Sequence, residues 1–443
     1  MISILQATAW YPPAYLGGTE VYLTGLVREL RSCNITSKIV APLGPDQPDP
    51  YEYDGTTVRT YSVNEIPSRA ELRGEERHKG FEKFSRILSE ERPDIYHQHS
   101  WTRGLGSAHL LKAREAGLKT ILTVHTPNVI CLRGTMMRYG LHSCNGQIHP
   151  QACGACWSNG RGLPKIFARQ LSALPPAISA ALERSILPGR FATALGARAL
   201  GERRREEFAH ILANTDRIVA VSRWLFEALL ANGVPANKLI LCRQGIDPNF
   251  AEEANNLASR CVETRNVFRV LYLGRWHPVK GIDVLVRAMR AIPSDVPITL
   301  SIHGVGDGFE ERAYRSYVRK LAAGDSRITI GAAVPHEQLA LTLVQGSALA
   351  VPSLWMETGP LIVLEAKALG IPVIGSRLGG IAELVREPED GVLVPPNDVQ
   401  AWTSALVTTA SRHIAQSRSL KPLAVRTLRE VANEMAALYA ALL

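Results

Sequence analysis

The sequence predicts an α/β protein built as two successive parallel sheets. Short apolar runs of strand length alternate with longer amphipathic stretches along nearly all 443 residues. That is the pattern of parallel sheets covered on both faces by crossover helices. The runs come in two series, separated by a polar stretch without a strand pattern. The length also accommodates two or three domains of ordinary size, not one small module.

In chain order, the first series of candidate strands is Ile2 to Leu5, Lys38 to Val40, Asp94 to Tyr96, Lys119 to Val124, Arg217 to Val221 and Lys238 to Leu241. The second is Arg269 to Leu273, Pro297 to Ile302, Ile328 to Ile330, Ala348 to Val351 and Ile371 to Ile374. Residues 1–245 therefore read as one domain and 267–424 as another. Between them, 246–266 reads as a linker, because Pro248, Glu252-Glu253 and Asn255-Asn256 make it polar. Residues 425–443 read as an amphipathic helix, with Leu428, Val431, Met435, Leu438 and Leu442 at spacings of three and four; it is a candidate for crossing back to the first domain. Two segments interrupt the first domain: a cysteine-rich loop, 131–156, and a basic helical insertion, 158–210. In the insertion Pro164, Pro175-Pro176 and Pro188 break helices, and Arg203-Arg204-Arg205 closes the run. It reads either as a solvated helical face or as an attachment to an anionic membrane surface.

Composition narrows the function classes. Hydrophobic residues at 46% and charged residues at 21% exclude disorder, coiled coils and collagen-like chains. No apolar run approaches the ~18 residues of a membrane span. Met1 to Leu5 lacks the basic start of a secretory signal, so a cytoplasmic location is expected, with peripheral contact at the inner face of the membrane as its extension. Fifty Lys and Arg against 41 Asp and Glu give +9, which favours anionic partners. Nucleic acid is not expected among them: no zinc-finger, RNP or basic-zipper pattern occurs, and only 6% of residues are aromatic.

Three places could carry chemistry. Gly17-Gly18-Thr19-Glu20 follows the first strand and opens a helical pattern, so its backbone N–H groups either approach an anion at a helix N-terminus or simply make the turn. No P-loop or G-x-G-x-x-G fingerprint occurs. In the second domain Gly274-Arg275 ends a strand and Lys280-Gly281 follows, placing two cations where open α/β sheets bind ligands. Glu357 lies in a Gly-Pro loop, and Glu365 lies about one turn into an apolar helix, where an unpaired carboxylate is costly and points to a polar ligand or a cation.

Taken together, the E-x7-E pair, Gly274-Arg275 with Lys280-Gly281, the Gly17-Gly18-Thr19-Glu20 loop, His125 after a strand, and Gln244-Gly245-Ile246-Asp247 resemble the retaining nucleotide-sugar glycosyltransferases of family 4. The resemblance runs from residue 1 to about 396 and leaves 131–210 largely outside it. It implies a GT-B fold, with two Rossmann-like domains whose parallel sheets face each other across a cleft, and transfer of a sugar from a nucleotide diphosphate donor to a hydroxyl acceptor with retention. The acceptor is expected to be a glycan or a lipid-linked saccharide, and no catalytic metal is implied; no Asp-x-Asp occurs.

By the same resemblance Arg275 and Lys280 hold the diphosphate, Glu365 the ribose and Glu357 the transferred sugar, with Leu361 beside them, while Gly17 and Gly18 offer N–H groups to the phosphates. His125 stands near the reacting sugar, and Glu20 and His99 stand on the acceptor side. This chain departs from the family at Gly359-Pro360, where an aromatic residue and a glycine are usual, and at Gln244, where asparagine is usual. Three competitors remain: a GT-B epimerase or phosphorylase, a non-catalytic nucleotide-sugar binding subunit, and a retaining hydrolase, which would not explain Arg275 and Lys280.

Cys131, Cys144, Cys153 and Cys156 fall at C-x12-C-x8-C-x2-C. The residue types suit a structural zinc, and free or disulfide-forming thiols and an iron–sulfur cluster stand as alternatives. Cys33, Cys242 and Cys261 read as core thiols.

Overall fold

The computed structural model describes residues 2–13, 17–43, 48–184, 194–258, 262–263, 266–415, 418–419 and 421–443. Pro188 and Cys261 lie outside the described residues. The chain forms two compact units, Met1–Arg243 with Leu428–Leu443, and Gln244–Thr427.

Unit 1 is built on β1 (Ile2–Ala7), β2 (Ile35–Ala41), β3 (Tyr51–Tyr53), β4 (Thr56–Thr60), β5 (Ile95–Gln98), β6 (Lys119–Val124), a small hairpin of β7 (Met137–Arg138) and β8 (His142–Ser143), β9 (Arg217–Ala220) and β10 (Leu239–Leu241). The main sheet has the order β10-β9-β6-β5-β1-β2-β4-β3. All its pairs are parallel except β3 with β4. The chain leaves β1 toward β2 and later returns to β5 on the other side, so the sheet reverses direction at β1 and opens a crevice at its carboxyl end. The first helix, Gly18–Ser32, buries Tyr22, Leu23, Leu26, Val27 and Leu30. The C-terminal helix, Leu428–Ala440, packs against it with Leu428, Val431, Met435 and Tyr439 buried, and so belongs to unit 1.

The insertion consists of helices Lys165–Ser172, Pro176–Arg184 and Ala197–Ala213, and the helix Pro150–Asn159 of the cysteine-rich segment packs on the last of them. The basic run is not a free surface. Arg203 makes two bonds to Glu183, at 2.5 and 2.6 Å, and Arg204 is only 17% exposed. No described helix is long and apolar enough to cross a membrane.

Unit 2 carries a short antiparallel pair, β11 (Val262–Glu263) with β18 (Arg418–Ser419), and a six-stranded parallel sheet. Its strands are β12 (Phe268–Arg275), β13 (Ile298–Val305), β14 (Ile328–Gly331), β15 (Ala348–Val351), β16 (Val373–Ser376) and β17 (Gly391–Val394), in the order β14-β13-β12-β15-β16-β17. This sheet reverses between β12 and β15.

The expected linker is instead largely a helix, Pro248–Ala258, inside unit 2. Phe250, Ala254 and Ala258 recur every four residues and enter the core with Val363 and Leu369, while Glu252, Asn255 and Asn256 stay exposed. The polar pairs that read as a linker are the solvent face of an amphipathic helix.

Candidate active site

The carboxyl ends of β12 and β15 bring the predicted charges of unit 2 together. Lys280 follows β12 on a single 3-10 turn, Pro278–Lys280, which closes at Gly281 with φ +65°. A Cβ at 281 would fall 2.1 Å from the Pro352 carbonyl oxygen, so only glycine lets this turn lie against the loop after β15. There the Leu354 N–H donates to the Val279 carbonyl at 2.7 Å. The contact places the Lys280 ammonium 2.6 Å from Glu357 Oε1, which also accepts from the Ser353 hydroxyl at 2.7 Å. Lys280 Nζ lies 5.5 Å from the centre of the Trp355 ring. The Glu357 backbone is fixed from behind by the helix Gly379–Leu384, where the Gly380 N–H donates to the Glu357 carbonyl at 2.6 Å. A Cβ on Gly379, at φ +45°, would stand 2.7 Å from that same carbonyl.

Two groups at this end of the unit are left with spare capacity. Arg275 Nε and Trp355 Nε1 are buried without a hydrogen-bond partner among the described residues. Glu365 sits one turn into Leu361–Ala368, buried, and burial alone pushes its carboxyl up to about 8. A carboxyl held toward its neutral form and a guanidinium with a free Nε, next to a Lys–Glu pair, are features that suit a polar ligand. Leu361 opens the helix behind Pro360, which brings no N–H of its own. The two departures from the family pattern meet in space, since a Cβ at Gly359 would fall 2.6 Å from Gln244 Oε1.

In unit 1 the structure places His99 and His125 in a buried row with His97. His99 Nε2 lies 2.8 Å from Gln6 Oε1, and its Nδ1 lies 3.1 Å from His125 Nε2. An amide oxygen only accepts, so His99 donates from Nε2 and receives the His125 Nε2–H on Nδ1. His97 spends both nitrogens, at 2.8 Å from the Tyr439 hydroxyl and 2.7 Å from that of Thr123. Burial pushes His97 and His125 down to about 3 and His99 well below its usual range. Burial therefore favours the neutral form of His125, which meets His99 as a hydrogen-bond partner. Glu20 is buried in the first turn of Gly18–Ser32, where its Oε2 accepts the Gly17 N–H at 2.9 Å. That bond occupies the very donor expected to face phosphate. Around Gly18, by contrast, no atom of the described residues beyond its own stretch of chain lies within 4 Å of where a Cβ would stand.

Cys131, Cys144, Cys153 and Cys156 are free and partly buried. The Tyr139 N–H donates to Cys156 Sγ at 3.1 Å, and burial pushes Cys153 up to about 11. Among the described residues no group of three or more His, Cys, Asp or Glu is arranged to hold a metal ion, so the tetrahedral set expected from the spacing is not assembled. Cys242 is a core thiol as expected, whereas Cys33 is only partly buried, with Sγ 3.4 Å from Asn433 Oδ1.

Sequence reading missed Ser353, Trp355, Gly379 and Gly380. The glycine pair had a legible signal, since it follows one strand and opens one helix just as Gly17-Gly18 does.

Two Rossmann-like units with cations at a sheet's switch point fit a glycosyltransferase of GT-B type, and comparison with known proteins agrees. Residues 17–243 match the glycosyl transferase 4-like domain and 267–412 the glycosyl transferases of group 1. The chain belongs to the group 1 glycosyltransferase family, with a 4-like domain in unit 1. The amylovoran biosynthesis glycosyltransferase AmsK of Erwinia amylovora is 27% identical over 255 residues, covering 53% of this chain and 60% of that protein. The D-inositol 3-phosphate glycosyltransferase of Kribbella flavida is 30% identical over 226 residues, covering 48% and 51%. The matches thus span about half to three fifths of these relatives' length. Among solved structures, the sucrose-phosphate synthase of Thermosynechococcus elongatus superposes with a TM-score of 0.63 at 21% identity, covering 100% of this chain and 99% of that one. Anabaena HepE in complex with UDP and glucose gives 0.60 at 14%, covering 100% and 97%.

Proposed function

We propose that the protein transfers a sugar from a nucleoside-diphosphate donor to a hydroxyl of a saccharide or lipid-linked acceptor, with the donor's anomeric configuration retained and without a catalytic metal. The observation that carries the reading is the spare capacity around the Lys280–Glu357 pair: an unmatched Arg275 Nε and a lone buried Glu365. A diphosphate supplies anionic oxygens for Arg275 and for the two ammonium hydrogens that Lys280 does not give to Glu357. A ribose supplies hydroxyls for Glu365, and the sugar's hydroxyls hydrogen-bond Glu357.

In the reaction the bond from the anomeric carbon to the phosphate oxygen breaks and the bond to the acceptor oxygen forms on the same face. The acceptor's proton passes to the departing diphosphate. Charge accumulates on that leaving group, where Arg275 and Lys280 stabilise it in place of water. The HepE complexes with UDP and with UDP-glucose support a donor of this class.

Incubation with UDP-, GDP- and ADP-sugars and a panel of saccharide acceptors tests the reading. One donor should release its nucleoside diphosphate only in the presence of acceptor, and an α-linked donor should give an α-linked product by NMR. A β-linked product would refute retention, and binding without turnover would make the protein a nucleotide-sugar binding subunit.

A further inference from the structure

Unit 1 contains a cavity of about 1090 Å³ that the donor chemistry does not use. Its walls are the segments after β4, β5 and β6 together with the helices Pro176–Arg184 and Ala197–Ala213. It therefore lies at the carboxyl ends of parallel strands, the edge of an open α/β sheet where ligands bind. Much of the wall comes from the insertion that family resemblance left unexplained.

The cavity's charge is unbalanced in a specific way. Eight arginines line it against six glutamates, with no lysine or aspartate among the described lining residues. Most of the carboxylates are already engaged. Glu75 holds Arg73 at 2.8 Å and Arg184 at 3.0 Å, and Glu202 holds Arg205 at 2.7 Å and Arg198 at 2.8 Å. Glu71 accepts the Ser68 N–H at 2.9 Å. Four guanidiniums have no hydrogen bond to a carboxylate among the described residues, and one of them, Arg77, lies over the Phe81 ring at 5.4 Å from its centre. Arg103 and Arg133 have no carboxylate partner among the described residues, and their hydrogen bonds go to the carbonyls of Asn64, at 3.4 Å, and Cys156, at 3.3 Å. Arg204 is largely buried, with Nε unpartnered; its Nη1 sits 3.2 Å from Glu207 without hydrogen-bond geometry. Holding a desolvated guanidinium with free donors is costly unless an anion comes to it.

We propose that this cavity is an acceptor subsite that takes the phosphate or diphosphate group of the glycosyl acceptor on Arg103, Arg133 and Arg204. Trp101, also in the wall, offers an apolar face to the adjoining sugar. A neutral saccharide needs hydroxyl partners, not guanidiniums with spare donors, whereas the planar fork of arginine fits the paired oxygens of a phosphate. The assignment of this anion to the acceptor rests on the proposed sugar transfer.

The test uses the full chain carrying Arg275→Ala and Lys280→Ala, which disables the diphosphate contacts of unit 2, with inorganic pyrophosphate as the calorimetric probe. Saturable binding should persist in that background and weaken roughly tenfold or more when Arg103→Ala or Arg133→Gln is added, since one charge-assisted contact is lost each time. Arg103 is exposed on a loop, so its removal does not threaten the fold. A second arm separates the sources of the group. Neutral phosphatidylcholine vesicles doped with a polyprenyl diphosphate should recruit the chain in an Arg103-dependent way if the acceptor is lipid-linked; pyrophosphate binding without recruitment assigns a free sugar phosphate. No pyrophosphate binding in the double variant, or binding indifferent to Arg103 and Arg133, overturns the proposal. So does Arg103-dependent binding to phosphatidylglycerol vesicles without pyrophosphate binding, which would mark a membrane-surface patch. Failure of the wild-type chain to bind any nucleoside diphosphate would strike the donor reading and leave the pyrophosphate result standing as an anion site of other use.

Discussion

The ends of β5 and β6 in unit 1 and the ends of β12 and β15 in unit 2 both bury polar side chains, yet they close their hydrogen bonds differently. In unit 1 both nitrogens of His97 and of His99 have partners, and the row runs from Tyr439 and Thr123 at one end to Gln6 and His125 at the other. In unit 2 Arg275 Nε and Trp355 Nε1 have no partner, and Glu365 is held uncharged by burial alone. A closed network returns what its desolvation costs and serves architecture; an open one keeps that cost until a ligand arrives. Perturbed titration alone does not separate the two, because both sets are strongly shifted. The free hydrogen-bonding capacity does.

The largest effect should come from opening the open set further. Arg275→Ala should lower transfer roughly hundredfold or more, because a guanidinium aimed at a leaving diphosphate acts mainly in the transition state. Its melting temperature should barely move, since Nε gives up no bond. Lys280→Ala should lose transfer to a similar degree but also stability, on the order of 2 kcal/mol, because Glu357 would be left buried without its cation. Paired activity and thermal-melt measurements on the two variants check the contrast, and equal melting behaviour would break it.

Next comes a break in the closed set. Tyr439→Phe removes the hydroxyl that faces His97 Nδ1 and should cost about 1 to 3 kcal/mol in urea unfolding. Nucleotide affinity should stay where it was. A change in affinity at unchanged stability would show that the histidine row reaches the chemistry.

The smallest effects concern pH, and the two sets carry opposite signs. Glu365 binds its proton more tightly folded than unfolded, so its contribution is complete below 4.5 and is lost as pH rises to about 8. His97 and His125 bind protons less tightly folded, so their contribution is complete above 6.5 and is lost as pH falls toward about 3. Glu365→Gln should therefore flatten the alkaline side of a stability–pH curve and leave the acid side alone. A flattened acid side in that variant would reverse the assignment.

Much of this was legible beforehand. A strand of continuous apolar residues such as β15 is buried on both faces of a parallel sheet and announces itself in sequence. Arg275, Lys280 and Glu357 could be picked out because charges beside such strands have few structural uses. The hairpin of β3 and β4 was not picked out, although its Asp54-Gly55 turn, with both residues at positive φ, is a strong hairpin signal. Both strands are short, and β3 has no buried residue. The helix Pro248–Ala258 was missed because three small or single apolar residues carry its buried face while polar pairs dominate its composition. Cys131 to Cys156 show the converse, since metal-like spacing is a pattern along the chain, and among the described residues no group of three or more ligands is found there. The free capacity of Arg275 and Trp355 was beyond reach, because an unpartnered donor is a fact about neighbours in space.

The central claim is that unit 2's unsatisfied charges exist to hold a nucleoside diphosphate. Calorimetric titration of the wild-type chain, Arg275→Ala and Tyr439→Phe with UDP, GDP and ADP tests it most directly. At least one nucleotide should bind the wild type at one site per chain, bind Arg275→Ala roughly tenfold to hundredfold more weakly, and bind Tyr439→Phe with unchanged affinity. No binding by any of the three nucleotides, or equal affinity in Arg275→Ala, would contradict the account.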